Sequence, residues 1–166
     1  MPAGEPDRKG RAAGPPQAAA EAAVAGGGGA LKSCPSAPCM EGALLLGVRT
    51  EAGRLSYVQP PTRIDAAFVE RAQAKGRPES RFRFSMPCIE AGCSQWTGTA
   101  CAVAERVIEQ EGSGEVATRL PPCAIRRTCR WFHQRGAEAC TVCPLVVADC
   151  GGSETYRSTQ ERTAGG

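Results

Sequence analysis

The stretch Pro122–Asp149, PCAIRRTCRWFHQRGAEACTVCPLVVAD, is the part of the chain around which we expect the fold to be organised. Its strongest signal is Cys140-x2-Cys143 followed directly by a proline. This spacing lets two thiolates reach one metal or cluster without a large bend of the backbone, and the proline stiffens the exit. The stretch therefore predicts a thiolate-bound metal centre. Its four cysteines are Cys123, Cys129, Cys140 and Cys143.

The composition predicts a thin hydrophobic core. The 166 residues include 20 glycines and 13 prolines, and only 5% are aromatic. Much of the apolar fraction is alanine and cysteine, which bury little area each, so a covalent or metal staple is expected. The formal net charge of +3 is mild and indicates neither a nucleic acid nor a membrane as a partner.

Ten cysteines could provide either kind of staple. The N-terminus carries no charged region followed by an apolar one, so no secretory signal is predicted, and no apolar run approaches the roughly 20 residues that span a bilayer. We therefore expect a reducing cytoplasm, where clustered cysteines are more often metal ligands than disulfides. Structural zinc, a disulfide framework and simple thiols remain alternatives to an iron–sulfur cluster.

The spacing of the cysteines favours a cluster over a single zinc ion. Zinc sites use closely spaced pairs of Cys and His, whereas this chain has one histidine and one CxxC. A cubane tolerates uneven spacing better, because its corners lie farther apart than the ligands of one ion. The first predicted [4Fe–4S] ligand set is the quartet named above. A second set of three thiolates, completed by His133, Cys150 or a non-protein ligand, comprises Cys88, Cys93 and Cys101.

Residues 87–101 and 122–140 form a loose internal repeat. Each runs proline, cysteine, a short gap, cysteine, tryptophan and then Ala-Cys. Two related lobes could each hold a separate site, or could face each other across a shared one. Spacing alone cannot assign ligands to one site or the other.

Basic and aromatic side chains accompany the predicted cluster. Trp131 is expected to shield it from water, and Arg130 is expected beside it. Positive charge near an anionic cubane would raise its reduction potential. The arginines on this segment are Arg126, Arg127, Arg130 and Arg135.

The rest of the chain predicts a small, metal-stabilised α+β fold with short helices around a cysteine-rich centre. Residues 1–31, rich in Ala, Gly and Pro, are predicted to be a disordered tail, and residues 151–166 a frayed one. Residues 32–80 hold a Cys-x4-Cys knuckle, a β-hairpin and a short helix, and residues 81–150 form the cysteine-rich domain. The knuckle, Cys34 and Cys39, has no second pair to complete a zinc ribbon, so these cysteines either take partners from elsewhere in the chain or bind no metal, and neither is assigned to a cluster.

Local patterns predict the individual elements. A hairpin of strands 43–48 and 54–58 turns at Gly53 and ends at Pro60-Pro61, and a helix over 66–74 is capped by Asp65. Arg81-Phe82-Arg83-Phe84 alternates as an edge strand with one wet face does. Helices are predicted from Thr99 to about 110, with Cys101 in the first turn, and over 125–135, ending at Gly136. The turn and capping residues on which these predictions depend are Gly53, Asp65 and Gly136.

The run C-x5-CRWF-x-Q-x-G-x3-C-x2-CP, preceded by PCIEAGCSQWTGTAC, carries a resemblance. Over Arg81 to Asp149 the chain resembles small bacterial cysteine-rich proteins that are loosely labelled nitrogen fixation proteins. These proteins are presumed to bind iron and sulfur, so the resemblance implies an iron–sulfur protein. It implies no mechanism.

The predicted function is therefore that of a small iron–sulfur protein, which carries electrons or senses redox state through one cubane or two. Its small size implies a partner oxidoreductase. Two alternatives stay open: a zinc-stabilised interaction or nucleic-acid-binding module, and an accessory subunit of an iron–sulfur enzyme. No GxGxxG, P-loop or Ser-His-Asp pattern supports independent catalysis.

Overall fold

A computed structural model describes residues 31–111 and 116–147 of the chain. They form a small α+β fold with a four-stranded antiparallel sheet of order β1-β4-β2-β3. The strands are β1 (Ser33–Ala37), β2 (Leu44–Arg49), β3 (Leu55–Arg63) and β4 (Phe82–Pro87). The α-helices are α1 (Ala66–Gln73), α2 (Ala102–Glu111), α3 (Arg130–Arg135) and α4 (Ala137–Val142), and 3₁₀ turns cover Pro78–Ser80, Glu90–Gly92 and Cys143–Leu145. The predicted α+β class is confirmed. Apart from Leu31, the tails predicted for residues 1–31 and 151–166 lie outside the described residues.

The β2–β3 hairpin turns at Gly53, whose φ of +72° suits glycine, as predicted. The prediction that Pro60-Pro61 ends the strand was wrong, because β3 continues to Arg63. Since β3 is at the edge of the sheet, its prolines need not donate a ladder hydrogen bond on the open side. Gly47 faces this strand so closely that an added Cβ would lie 2.8 Å from the Ser56 carbonyl oxygen.

Strand β4 lies between β1 and β2, so the prediction of an edge strand with a wet face was wrong. Both of its faces are covered: Phe84 is fully buried, and the neighbouring Arg83 is only 5% exposed. Successive residues of a strand point to opposite faces of a sheet. The predicted domain boundary at residue 80 falls just before this strand, which pairs with strands from the preceding segment.

One side of the sheet carries an aromatic core. Helix α1 begins as predicted, with the Asp65 carboxylate accepting a hydrogen bond from the Phe68 amide at 2.7 Å. Phe68, Phe82 and Phe84 then meet with ring centroids 5.4–6.2 Å apart, a separation at which aromatic pairs attract each other. The buried members of the aromatic core are Ala37, Cys39, Met40, Ala43, Ile64, Ala72, Phe84 and Met86.

A second cluster, the cysteine core, contains the short C-terminal helices. Trp131 is its largest buried side chain, at 2% exposure. Cys34 belongs to this core and Cys39 to the aromatic core, so the predicted Cys-x4-Cys knuckle was wrong. The segment forms an extended strand rather than a tight loop, and it carries the two thiols apart. The cysteine core comprises Cys34, Leu46, Val103, Ala104, Ile108, Ile125, Cys129, Trp131, Ala139, Val142 and Val146.

The helix boundaries around the cysteines differ from the predictions. Helix α2 begins at Ala102, so Cys101 precedes the helix instead of lying in its first turn. Residues 124–128 form turns, and α3 begins only at Arg130. Gly136, with φ +59°, ends α3 as predicted, but the chain then starts α4, which was not predicted. No helix of the described residues is long and apolar enough to cross a membrane.

Candidate metal centres

The four cysteines of the predicted first ligand set line one cavity, which we call the first cavity. Its volume, including the part open to solvent, is about 430 Å³. Apart from Arg83 and Arg126, its walls are made mainly by apolar and aromatic side chains. The structure therefore brings together the residues that spacing grouped, while their binding of a cluster stays a prediction. The four thiols are those of Cys123, Cys129, Cys140 and Cys143.

Short C-terminal elements position these thiols. Cys129 directly precedes α3, and Cys140 and Cys143 lie one turn apart at the end of α4. Residues three apart on a helix share a face, so both thiols can point into one space. The turn before α3 is fixed to β1, because the Ser33 amide donates to the Thr128 carbonyl at 2.7 Å.

The apolar walls oppose ionisation of the thiols. Burial raises the pKa of Cys123 and of Cys140, and raises that of Cys129 to about 12. Backbone N–H groups near Cys129 and the Arg126 guanidinium near Cys140 oppose this effect only in part. Metal binding to such thiols must therefore release protons, and the charge of the metal must help to offset the cost of burying the thiolates.

Arg83 contributes a buried cation to the first cavity, and sequence analysis missed it by assigning this residue to a wet face. Its guanidinium donates to the Pro35 carbonyl at 3.2 Å and to the Cys143 carbonyl at 2.9 Å, with the Cys143 sulfur 3.7 Å away. It also donates to the Val146 carbonyl. A buried cation is costly unless it is paired, and these carbonyls compensate it only as neutral acceptors. An anionic group in the cavity would complete the pairing.

Four further thiols line a second cavity, whose volume, including the part open to solvent, is about 350 Å³. Its walls include Trp96, Arg130 and one side of Trp131. Each cavity therefore has four thiols, and the cysteines of the two repeats line separate cavities, although spacing had left a mixed arrangement open. The thiols of the second cavity are those of Cys34, Cys88, Cys93 and Cys101.

Hydrogen bonds that involve backbone groups hold the segments around the second cavity together. The Cys88 amide donates to the Lys32 carbonyl at 2.6 Å, which ties the end of β4 to the start of β1. Gln134 brackets Cys101, accepting from its amide at 2.9 Å and donating to its carbonyl at 3.1 Å. Around Cys93, the Gln95 amide donates to the sulfur at 3.4 Å.

Cys34 is the member of this group that sequence reasoning missed. In the β1–β4 ladder it lies opposite Met86, two residues before Cys88. A prediction that these two strands pair would have placed Cys34 near Cys88. Because about 50 residues separate the strands, no local pattern predicts this pairing. Of the predicted fourth ligands, His133 is exposed and its ring Nε2 lies 2.8 Å from the Arg127 carbonyl oxygen, away from the cavity lining. Cys150 lies outside the described residues.

The predicted arginines separate into different environments. Arg126 lines the first cavity and Arg130 the second, where its guanidinium lies 4.9 Å from the centre of the Trp96 ring. Arg130, expected beside the first quartet, lines the second cavity instead, and its contact with a cluster stays a prediction, whereas Trp131 lines both cavities. Arg135 pairs instead with Glu105 and Glu138 on the surface, and Arg127 is exposed.

Within residues 31–111 and 116–147 no disulfide joins any of the nine cysteines. In the same part of the chain, no three His, Cys, Asp or Glu side chains converge closely enough to bind a single metal ion. No family model, no curated protein and no solved structure matches this chain. The site therefore has to be interpreted from its own geometry.

Proposed function

We propose that the chain is an iron–sulfur protein that binds a [4Fe–4S] cluster in the first cavity and carries electrons or senses redox state with it. The observation that supports this proposal is the convergence of four thiols on one apolar cavity. Four cysteine ligands are what a cubane requires. The ligands would be Cys123, Cys129, Cys140 and Cys143.

The surroundings suit a one-electron centre. Trp131 and Phe132 line the cavity and would limit the access of water. The exposure of a cluster to solvent is one of the factors that set its reduction potential. Arg83 and Arg126 place positive charge beside it. Since reduction adds a negative charge, this positive charge favours the reduced form and raises the potential.

A cluster of this kind needs redox partners and a compartment that keeps its thiolates reduced. Because the chain is small, a separate oxidoreductase would exchange electrons with the cluster. A reducing cytoplasm would keep the thiols available as cluster ligands. We propose no independent catalysis.

Anaerobic purification followed by iron, sulfide and zinc analysis tests the proposal. We expect brown protein with about four irons and four sulfides for each occupied site, and absorbance at about 400 nm that bleaches with dithionite. Colourless protein with stoichiometric zinc would overturn the proposal in favour of a zinc-stabilised interaction module. Brown protein that turns over a small molecule would instead indicate part of an iron–sulfur enzyme.

Substitution of one ligand tests the site itself. Cys129→Ser should remove the iron of the first cavity, because it replaces a buried soft ligand with a poor one. Cys39→Ser is the matched control, since Cys39 is equally buried but lies in the aromatic core. Equal iron in the two variants would contradict this ligand assignment.

A further inference from the structure

We infer that the second cavity binds a second [4Fe–4S] cluster, with Cys34 from the N-terminal strand as the fourth ligand, and that Trp131 lies beside both clusters. The nature of the cluster rests on the proposed function, but the ligand set does not. It differs from the sequence-based expectation, in which Cys34 was unassigned. The complete set is Cys34, Cys88, Cys93 and Cys101.

The four thiols come from parts of the chain that the fold holds firmly together. Cys34 lies in β1, and Cys88 directly follows its partner strand β4. Cys101 is fixed through Gln134, which lies on α3. Ligands from distant segments therefore meet at a site built by the sheet and the helices, as a preorganised cluster site requires.

Each cavity also contains an arginine with an unsatisfied nitrogen. Arg126 Nε in the first cavity and Arg130 Nε in the second are buried without a hydrogen-bond partner. Buried donors are rarely left unpaired, so each calls for an explanation. An anionic cluster with sulfide and thiolate acceptors supplies the same explanation for both. The two cavities are therefore alike, because each is lined by four thiols and by one arginine whose Nε has no hydrogen-bond partner.

Trp131 is the shared wall. It lines both cavities and is 2% exposed, so clusters in the two cavities would both lie beside this one residue. An electron can then leave a reduced cluster and enter its oxidised neighbour, with no bond or proton changing place. A one-electron carrier protein supplies the electron at one cluster and another removes it at the other. The chain is thus a two-cluster relay.

Iron and sulfide contents of single variants test the inference. The anaerobic wild-type chain should contain about eight irons, four for each cubane. Cys34→Ser should retain about half of this iron, whereas Cys39→Ser, the other cysteine of the same short segment, should retain all of it. Wild-type protein with about four irons, unchanged in Cys34→Ser but lost in Cys129→Ser, would overturn the second site and leave the proposed function standing.

Further measurements guard against a misfolded variant. Cys101→Ser changes a half-buried residue outside the sheet and should also retain about half of the iron, with an unchanged far-ultraviolet circular dichroism spectrum. In dithionite-reduced wild-type protein the electron paramagnetic resonance signal should be broadened by coupling between two neighbouring spins. A sharp, uncoupled signal in the wild type, equal to that of Cys34→Ser, would overturn the inference. Zinc in place of iron in every variant would overturn the proposed function instead.

Discussion

The aromatic core and the cysteine core differ in how they fill their space. The aromatic core is closed by three phenylalanine rings and aliphatic side chains that touch directly. The cysteine core contains a single large aromatic residue among its buried members, several alanines and valines, and two cavities lined by thiols. The first core is filled by packing, whereas under the proposed function the second is expected to depend on the cluster that occupies each cavity.

Strand β4 contributes side chains to both cores, because its successive residues point to opposite faces of the sheet. Phe84 enters the aromatic core, and its neighbour Arg83 is directed to the first cavity. The sheet is therefore the rigid part that fixes the cysteines of the other core, notably Cys34. The comparison predicts that packing defects in the aromatic core unfold the whole chain, while changes in the cysteine core act mainly through the metal.

The largest expected effect is that of Phe84→Ala. Phe84 is fully buried between α1 and the sheet, and its truncation leaves a cavity that costs about 3–5 kcal/mol of unfolding free energy. Denaturant titration measures this loss, and because β4 joins both cores the iron should be lost in the same transition. Val48→Ala, at an exposed position of β2, is the control and should change stability by less than about 0.5 kcal/mol. A similar small change in both variants would contradict a stabilising role of the aromatic core.

Removal of the metal should have the second-largest effect on stability. Any ligand that binds only the folded state stabilises it, by about 4 kcal/mol when it is present at a thousand times its dissociation constant. Both tryptophans, Trp96 and Trp131, line the second cavity, so their fluorescence reports on the cysteine core alone. We expect anaerobic chelation to shift this fluorescence to the red while the far-ultraviolet signal of the sheet persists. Simultaneous loss of both signals would show that the two cores do not differ in this way.

Arg83→Met should have an intermediate effect. It leaves the carbonyl groups of Pro35 and Cys143 without their donor, at a cost of about 1–3 kcal/mol, and it should lower the reduction potential of the first cluster by removing a positive charge. Arg81→Met is the matched control, because Arg81 donates to the Ala72 and Gly76 carbonyls but does not line the cavity. If a redox titration finds the same reduction potential in both variants, Arg83 acts only by hydrogen bonding to the backbone.

The smallest effect concerns Cys39 at high pH. Burial first, and then the charge of Glu79, raise the pKa of the Cys39 thiol from 9.0 to about 11. The folded state holds this proton longer than the unfolded state, so the contribution to stability is complete below pH 9 and is lost as the pH rises to about 11. Cys39→Ala removes this contribution. Between pH 9 and about 11, the free energy of unfolding should therefore fall more steeply for the wild type than for Cys39→Ala. Parallel curves for the two proteins would rule out the raised pKa.

Local elements were predictable wherever one local interaction decides the backbone. The Asp65 cap, the Gly53 turn and the end of α3 at Gly136 agree with the structure for this reason. The errors lie where position in the sheet overrules local pattern: β3 passes through Pro60-Pro61 because it is an edge strand, and Arg83 is buried because β4 is central. No local pattern carries strand order, since it depends on contacts between distant segments.

The sequence by itself determined that this chain has few bulky apolar residues and predicted a small α+β fold. It made Cys123, Cys129, Cys140 and Cys143 the first predicted ligand set, because these four lie close along the chain, but it left a mixed arrangement open. Only the tertiary structure decided that Cys34 and Cys39 belong to different cores, that Cys34 lines one cavity with Cys88, Cys93 and Cys101, and that Trp131 lines both cavities. The physical reason is the pairing of β1 with β4, a contact across about 50 residues that no spacing of cysteines encodes.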